Sequence, residues 1–126
     1  MTDKMPMPFA QNLVNLAAGR KTEICGFIME DWSFKQITNV SLKPETSFFM
    51  DPQEMLAFMK SLDDVTEITG VFHSHPGGSP DPSPDDLQGW HPSLPYRYFI
   101  IAGGRVREFE RRGDNDFACI FDSSEW

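Results

Sequence analysis

Cysteine is scarce in this chain, whose 126 residues include only Cys25 and Cys119. The two lie far apart and form no CxxC pair, so the sequence predicts neither a cysteine-rich zinc site nor a disulfide framework. A single disulfide is compatible with the count, but two reduced, buried thiols are the interpretation we favour. Long apolar runs are absent too, since there is no signal-peptide-like N-terminus and no apolar stretch of 18 residues. These absences predict a cytoplasmic protein.

Basic residues are also in the minority, with 11 Lys and Arg against 19 Asp and Glu and a net charge of -8. This balance argues against non-specific affinity for nucleic acid or acidic membranes, and it favours a neutral or basic protein partner. The hydrophobic fraction of 40% and the aromatic fraction of 13% are typical of a packed globule. We find no repeats and no internal linker, so residues 1–126 are expected to form one domain.

The apolar patterns predict a mixed α/β domain. Helices are expected over 8–18, 51–62 and 83–90, and strands over 22–30, 34–42, 46–50, 67–75, 96–102, 105–111 and 117–121. Asp51 and Pro52 form a strong helix start, in which Glu54 can reach back to the cap. That helix should carry five apolar side chains inward, namely Met55, Leu56, Phe58, Met59 and Leu62. Gly103-Gly104 predicts a two-residue hairpin turn.

Two of the three histidines stand one residue apart, at the end of an expected strand. Residues i and i+2 of a strand point to the same face, so His73 and His75 should project together while Ser74 turns away. Two imidazoles at this spacing can bind one zinc ion. HxH alone is a weak signal, however, and needs further ligands to predict a metal site.

A carboxylate after the Pro-rich loop can complete such a site. Asp86 and Asp85 both open the expected helix at 83–90, and the residues alone do not choose between them. Three protein ligands leave a fourth position for water, which is the catalytic arrangement of zinc. Each residue also has a structural explanation, because Ser83 is a good helix N-cap and an acid suits the first turn. His91 is interpreted as a surface residue.

Glu23 is the candidate general base. It begins an apolar strand and shares a face with Cys25, and a carboxylate there is costly unless it has a partner. An acid beside a zinc-bound water has such a partner, and it can pass the proton to a leaving amine. A salt bridge at the strand edge is the structural alternative.

Taken together, the polar residues resemble the JAMM motif of MPN-domain zinc metalloproteases. The resemblance spans about residues 22–101, and ten residues separate His75 from Asp86, as the motif requires. The matching segments are Glu23-x-x-Gly26, His73-Ser74-His75-Pro76 and Pro82-Ser83-x-x-Asp86. The family pattern implies that His73, His75 and Asp86 bind one zinc ion per chain and that Glu23 acts as general acid/base. It also implies that Ser83 donates a hydrogen bond to the zinc-bound water or to the oxyanion.

The same resemblance implies a fold and a function. The fold is α/β (α+β), a single mixed sheet flanked by helices in the MPN, cytidine-deaminase-like architecture. The chain lacks the long insertions of eukaryotic deubiquitinating members and looks like a minimal bacterial or phage-type form. Such members resemble peptidases or isopeptidases that cut at or after the Gly-Gly end of ubiquitin-like or sulfur-carrier proteins. The expected partner is therefore a protein or peptide with an extended C-terminal tail, bound along a sheet edge.

Several alternatives stay open at this point. A phage tail-assembly peptidase is one, and a catalytically silent, metal-stabilised binding or assembly module is another. A cytidine-type deaminase is excluded, because position 75 is His rather than Glu and no PCxxC occurs. Trp90, Phe72 and the Gly77-Gly78 loop are candidates for pocket lining, with ordinary packing and turn roles as the alternative. The oligomeric state is also open, with a homodimer as one candidate.

Overall fold

A computed structural model describes residues 4–83, 96–112 and 117–125 of the chain. The described helices are α1 (Met7–Ala17) and α2 (Pro52–Ser61), with short 3-10 turns at Val65–Glu67 and Ser123–Glu125. The strands are β1 (Cys25–Met29), β2 (Phe34–Ile37), β3 (Ile68–Ser74), β4 (Arg97–Ala102), β5 (Arg105–Arg111) and β6 (Phe117–Asp122). The expected helix at 83–90, with Asp85 and Asp86, lies beyond Ser83 outside the described residues, as do Trp90 and His91.

The six strands form one mixed sheet in the order β2-β1-β3-β4-β5-β6. The β3–β4 pair is parallel, and the other four pairs are antiparallel. This confirms the expected mixed sheet flanked by helices. Strand β3, which carries the HxH motif, is therefore buried between β1 and β4 in the middle of the sheet.

The sheet buries a different core on each face. On one face α1 packs Phe9 and Leu13 against Phe72 and Phe99. On the other face α2 covers a second cluster that includes Cys25 and other residues of β1 and its neighbours. Within the described residues, no helix has the length and apolar character needed to cross a membrane.

The predicted turns and caps largely hold. The Asp51 carboxylate accepts a hydrogen bond from the Gln53 amide at 3.0 Å and caps α2. Gly103 and Gly104 both have positive φ angles, 60° and 75°, as a tight hairpin turn between β4 and β5 requires. Glu54 does not return to the cap, because its carboxylate accepts the Thr38 amide at 3.1 Å instead.

Leu56 was expected to face inward, and this is wrong, since it is 54% exposed. The half-buried stripe of α2, which packs on the sheet, follows the i, i+3, i+4, i+7 spacing of Met55, Phe58, Met59 and Leu62. Leu56 lies about 100° around the helix from Met55, which turns it toward solvent.

Two strand predictions were too long. The expected strand at 34–42 ends at Ile37, and the expected strand at 46–50 is reduced to one bridge between Asn39 and Met50. The Asn39 side chain accounts for this, because its oxygen accepts the backbone amides of Ser41 and Phe49, both at 3.0 Å. A side chain that binds the backbone in this way competes with a regular strand ladder.

The cysteine prediction is half right. Both thiols are free, and Cys25 is buried, but Cys119 is exposed. Cys119 lies on β6, which is an edge strand of the sheet and is flanked by β5 alone among the described strands. An edge strand leaves side chains in solvent that a central strand would bury.

Gly26, in the middle of β1, owes its identity to close packing. A Cβ atom at this position would collide with the backbone carbonyl of Lys35 and would lie 2.7 Å from the Phe72 ring. The ring therefore packs directly on the glycine backbone. This gives a physical reason for the glycine in the Glu23-x-x-Gly26 segment that does not depend on any ligand role.

We predict that Gly26→Ala lowers the free energy of unfolding by about 3 kcal/mol or more, because the overpacked atom meets rigid backbone. Gly19→Ala is the control. Its φ angle is +73°, but nothing lies within 4 Å of the added Cβ. It should cost only the left-handed strain of about 1–2 kcal/mol. Urea denaturation measures both values, and equal losses would contradict the packing explanation.

Candidate metal centre

The pairing of β1 with β3 brings the candidate residues together. Cys25 lies opposite His73 in this antiparallel ladder. The pairing continues beyond the start of β1, because the Ser74 amide donates a hydrogen bond to the Ile24 carbonyl at 3.0 Å. The Ile24 amide in turn donates to the Ser74 hydroxyl at 2.9 Å. This register sets Glu23 across from His75, although Glu23 precedes β1 rather than beginning it.

The resulting site is compact and largely buried. The Nε2 atoms of His73 and His75 are 3.0 Å apart. One carboxylate oxygen of Glu23 and one ring nitrogen of each histidine lie within 4.8 Å of one another. Glu23 is 3% exposed and His73 is 1% exposed. His75 is only half-buried, so the site opens to solvent on the side of His75.

A tight turn holds His75 in place. His75-Pro76-Gly77-Gly78 has the arrangement of a type II turn, with proline second, a positive φ of 66° at Gly77, and the Gly78 amide donating to the His75 carbonyl at 3.1 Å. The turn brings the Ser79 carbonyl to 2.7 Å from Nδ1 of His75. Because a carbonyl can only accept, Nδ1 donates this hydrogen bond, which leaves Nε2, the atom facing His73, as the nitrogen that can bind a metal ion.

His73 is fixed by its neighbours in the sheet and by an aromatic ring. It is flanked by Cys25 on β1 and Ile100 on β4. The Phe48 ring stacks on its imidazole, with 4.5 Å between ring centroids and 25° between planes. These contacts leave the ring little freedom to turn away from His75.

Glu23 is held through its backbone by the loop after β2. Its amide donates to the Pro44 carbonyl at 2.7 Å, and its carbonyl accepts from the Asn39 side chain at 2.9 Å. The Asn39 NH₂ group also donates to the Ser47 carbonyl at 3.1 Å. The Asn39 side-chain oxygen accepts hydrogen bonds from two backbone amides, as described above, so both N–H donors and the oxygen acceptor of this side chain are used. The position of Glu23 therefore depends on the Pro44 carbonyl and on this one amide side chain.

The donors fit a zinc ion. Zn–N bonds of 2.0–2.1 Å in a tetrahedral site imply a separation of about 3.3 Å between two ligand nitrogens. The observed separation of 3.0 Å between the two Nε2 atoms is close to that value. The Ser79 carbonyl also supplies the outer hydrogen bond that orients metal-binding imidazoles in proteins.

The structure thus brings together three of the five predicted site residues. Ser83 is half-buried and ends the described part of the Pro-rich loop, and Asp86 lies outside the described residues. Phe72 cannot line an open pocket, because it is fully buried in the core beneath α1. Gly77 does line a cavity of about 260 Å³ near the end of α1, next to His75.

Sequence reasoning missed the residues that hold the site in place. The His-Pro-Gly-Gly turn was a readable signal for the Ser79 contact, because proline followed by glycine is typical of a type II turn. Phe48 and Asn39 had no such signal. Both act across long chain separations, and neither belongs to a spacing pattern.

The comparisons with known proteins agree with this geometry. A mixed sheet that presents two imidazoles and a carboxylate at the end of its central strands is the arrangement that the resemblance to the JAMM/MPN class implies. Residues 9–113 match the family described as prokaryotic homologues of the JAB domain, and the chain belongs to that family. The resemblance to the JAMM/MPN family is confirmed.

Three curated relatives are similar over part of their length. A desampylase of Haloferax volcanii is 28% identical over 101 residues, covering 73% of this chain and 71% of that protein. A desampylase of Pyrococcus furiosus is 30% identical over 89 residues, covering 68% and 64%. A probable TtuB-protein conjugate cleaving protease of Thermus thermophilus is 33% identical over 71 residues, covering 56% and 48%. The match thus spans from about half to about seven-tenths of these relatives.

One solved structure supports the fold. The solution structure of a Desulfitobacterium hafniense protein superposes with a TM-score of 0.59 at 24% identity. The match covers 91% of this chain and 84% of that protein. At this identity the likeness supports the architecture alone.

Cys25 lies opposite His73 in the β1–β3 ladder, and the reactivity of its thiol tests how well solvent is excluded from this region. Burial, with smaller contributions from the charges of Glu23 and Glu54, raises the pKa of the Cys25 thiol to about 12. A raised thiol pKa favours the neutral form, so at pH 8 about one molecule in ten thousand carries the reactive thiolate.

We therefore predict that a thiol reagent such as DTNB modifies one cysteine per folded chain at pH 8, and two in denaturant. The reactive residue should be Cys119, which is exposed although partial burial raises its pKa as well. Cys119→Ser is the control and should leave no thiol that reacts in the folded protein. Rapid labelling of that variant would contradict the closed packing around Cys25.

Proposed function

We propose that this protein is a zinc-dependent peptidase or isopeptidase. Its reaction is hydrolysis of an amide bond at or after the Gly-Gly C-terminus of a ubiquitin-like or sulfur-carrier protein. One observation carries the proposal, namely the convergence of the His73 and His75 Nε2 atoms, 3.0 Å apart, with the Glu23 carboxylate within 4.8 Å. Membership of the JAB family makes this cluster the natural place for the chemistry.

His73 and His75 are the proposed zinc ligands, and the family motif adds Asp86 as the third. When bound, zinc lowers the pKa of a coordinated water and polarises the scissile carbonyl. The half-buried edge of His75 gives substrate and water a way in, while Glu23 and His73 lie in the buried interior. Electrostatic interactions are stronger there, because the surroundings are less polar than water.

Glu23 is the proposed general acid/base rather than a ligand. Its carboxylate takes a proton from the attacking water and delivers it to the leaving nitrogen, which must be protonated before the C–N bond breaks. The fixed backbone at Glu23 supports this role, because Pro44 and Asn39 hold it on both sides. A proton acceptor held in place loses less entropy on reaching the reactive geometry.

Ser83 is the proposed oxyanion donor. A hydroxyl donates one proton and accepts through its lone pairs, so the same side chain can cap a helix and stabilise the tetrahedral intermediate. Removal of one such donor typically slows catalysis by about 10²–10³-fold.

The substrate class is argued from the relatives and from sterics. One relative is named a cleaving protease for TtuB–protein conjugates and two are named desampylases, so removal of a conjugated protein is the activity we transfer. A Gly-Gly tail suits a site with buried walls, because it carries no side chains. An extended tail of this kind can add as a strand along a sheet edge.

We predict that Glu23→Gln lowers kcat by about 10²–10⁴-fold, the usual contribution of a general acid/base, while zinc stays bound near one ion per chain. Atomic absorption measures the metal, and a conjugate-cleavage assay measures kcat. His75→Ala should lose the metal, because it removes a ligand.

Glu45→Gln is the matched control, since Glu45 is an exposed acid outside the site, and it should change neither quantity. Two results would contradict the assignment. Loss of zinc in Glu23→Gln would make Glu23 a ligand, and unchanged kcat would remove it from the mechanism.

The substrate proposal predicts a defined mass change. Ubiquitin-like proteins with a short extension after Gly-Gly should lose the mass of that extension when incubated with the zinc-loaded protein, as read by mass spectrometry. A matching substrate that ends in Ala-Ala should be cut at least about tenfold more slowly, because added methyl groups clash with close walls.

The control for contaminating proteases is the Glu23→Gln variant on the same substrates. If the wild-type protein binds zinc stoichiometrically and cuts none of them, the metal serves stability, and the chain is a binding or assembly module instead.

A further inference from the structure

Arg107 lies on the same face of the sheet as the proposed zinc ligands. Ile100 on β4 is the partner of both His73 on β3 and Arg107 on β5. Arg107 is in turn the partner of Asp122 on β6. Residues directly opposite one another in neighbouring strands point to the same face. His73 and Arg107 therefore share one face, two strands apart.

The Arg107 guanidinium connects two acids from distant parts of the chain. Its Nε donates to the Asp122 carboxylate at 2.7 Å, and its Nη1 donates to the Asp81 carboxylate at 2.5 Å. Arg107 is largely buried, with a side chain that is 23% exposed, whereas Asp81 is 62% exposed. Asp122 anchors the arginine to the sheet, and the arginine holds Asp81.

Asp81 connects this pair to the turn that orients His75. Its second carboxylate oxygen accepts the Ser79 hydroxyl at 3.2 Å, and the Asp81 amide donates back to that hydroxyl at 3.2 Å. The carbonyl of the same Ser79 accepts from Nδ1 of His75 at 2.7 Å. A continuous set of hydrogen bonds thus runs from β6 to the imidazole.

We infer that Arg107 is a positioning residue for the metal centre: through Asp81 and Ser79 it fixes the Pro-rich loop and so sets the tautomer and direction of the His75 ring. The inference deepens the proposed function and rests on it. The loop depends on such an anchor because it leaves the sheet after Ser74 and does not lie in any strand. Charge-assisted hydrogen bonds are stronger than neutral ones, so the Arg107–Asp81 contact is suited to hold the loop even though Asp81 is 62% exposed.

The test compares zinc affinity, measured by chelator competition, across variants. Arg107→Ala should weaken zinc binding by about tenfold, because the loop that carries the Ser79 carbonyl loses its anchor; tenfold is the lower end of what loss of that carbonyl's contact to His75 would cost. Arg107→Lys should restore part of the affinity, because one charged donor remains. In the metal-free protein, nitrogen NMR of the His75 ring should show the Nδ1–H tautomer in wild type and a mixture of tautomers in Arg107→Ala.

Asp81→Ala removes the same contact at an exposed loop position, and it replaces Arg107→Ala as the test if that variant does not fold. It should match Arg107→Ala in affinity, and the double variant should be no weaker than either single one, because both remove the same interaction.

Arg105→Ala is the matched control. Arg105 is on the same strand, and its Nε atom lies 3.7 Å from the carboxylate of the same Asp122. Among the described residues, Arg105 forms no ion pair with Asp81. Its affinity should stay within about twofold of wild type, since the outer contact to the metal ligand is kept. An equal loss in Arg105→Ala would overturn the inference, as would a folded Arg107→Ala with wild-type affinity and tautomer.

The two proposals fail in different ways. A wild-type protein that binds zinc and cleaves no conjugate contradicts the proposed function, while the affinity series still decides the role of Arg107. A wild-type protein that binds no zinc also contradicts the proposed function. The role of Arg107 is then decided by the His75 tautomer in the metal-free protein, which should differ between wild type and Arg107→Ala if the inference is right.

Discussion

The antiparallel register between β1 and β3 is the constraint on which the site depends. In this register Cys25 lies opposite His73, and two hydrogen bonds between Ile24 and Ser74 extend the pairing by one residue. Glu23 therefore lies across from His75. A shift of one residue would turn every side chain of β3 to the other face, so the imidazoles would enter the core under α1. The same register brings the Phe72 ring onto Gly26, where only a glycine leaves room. Packing of Phe72 on Gly26 on one face of the sheet thus helps to fix the register that brings Glu23, His73 and His75 together on the other face.

Much of this could be predicted from residue patterns, because the governing interactions are local. Two-residue periodicity located β3 and its HxH face, and the cap at Asp51 and the glycine pair before Arg105 marked where elements begin. The convergence of His73 with His75 follows from strand geometry alone. Glu23 was singled out by the cost of a carboxylate in an apolar strand and by resemblance to a family, since no local rule states which strands pair.

The remaining features depend on contacts between distant parts of the chain. Asn39 replaced an expected strand with a hydrogen-bonded loop, and its side-chain partners could not be identified from spacing. Arg107 looked like one of many charged residues on an alternating strand until the fold set it between Asp81 and Asp122. The exposure of Cys119 likewise follows from the strand order, which leaves β6 at an edge. Topology decides such outcomes, and one sequence does not reveal it.

The parallel pairing of β3 with β4 also bears on how such a domain can diversify. Antiparallel neighbours can be joined by two residues, as β4 and β5 are, but parallel neighbours need a long connection that returns along the sheet. Here that connection is the stretch between His75 and Arg97. The closure entropy of a connection grows slowly with its length, by about 0.6 kcal/mol for each doubling, so insertions cost the strands little. Contacts to new partners can therefore evolve by insertion after Asp86, while the spacing from His75 to Ser83 and Asp86, on which the proposed chemistry depends, stays unchanged.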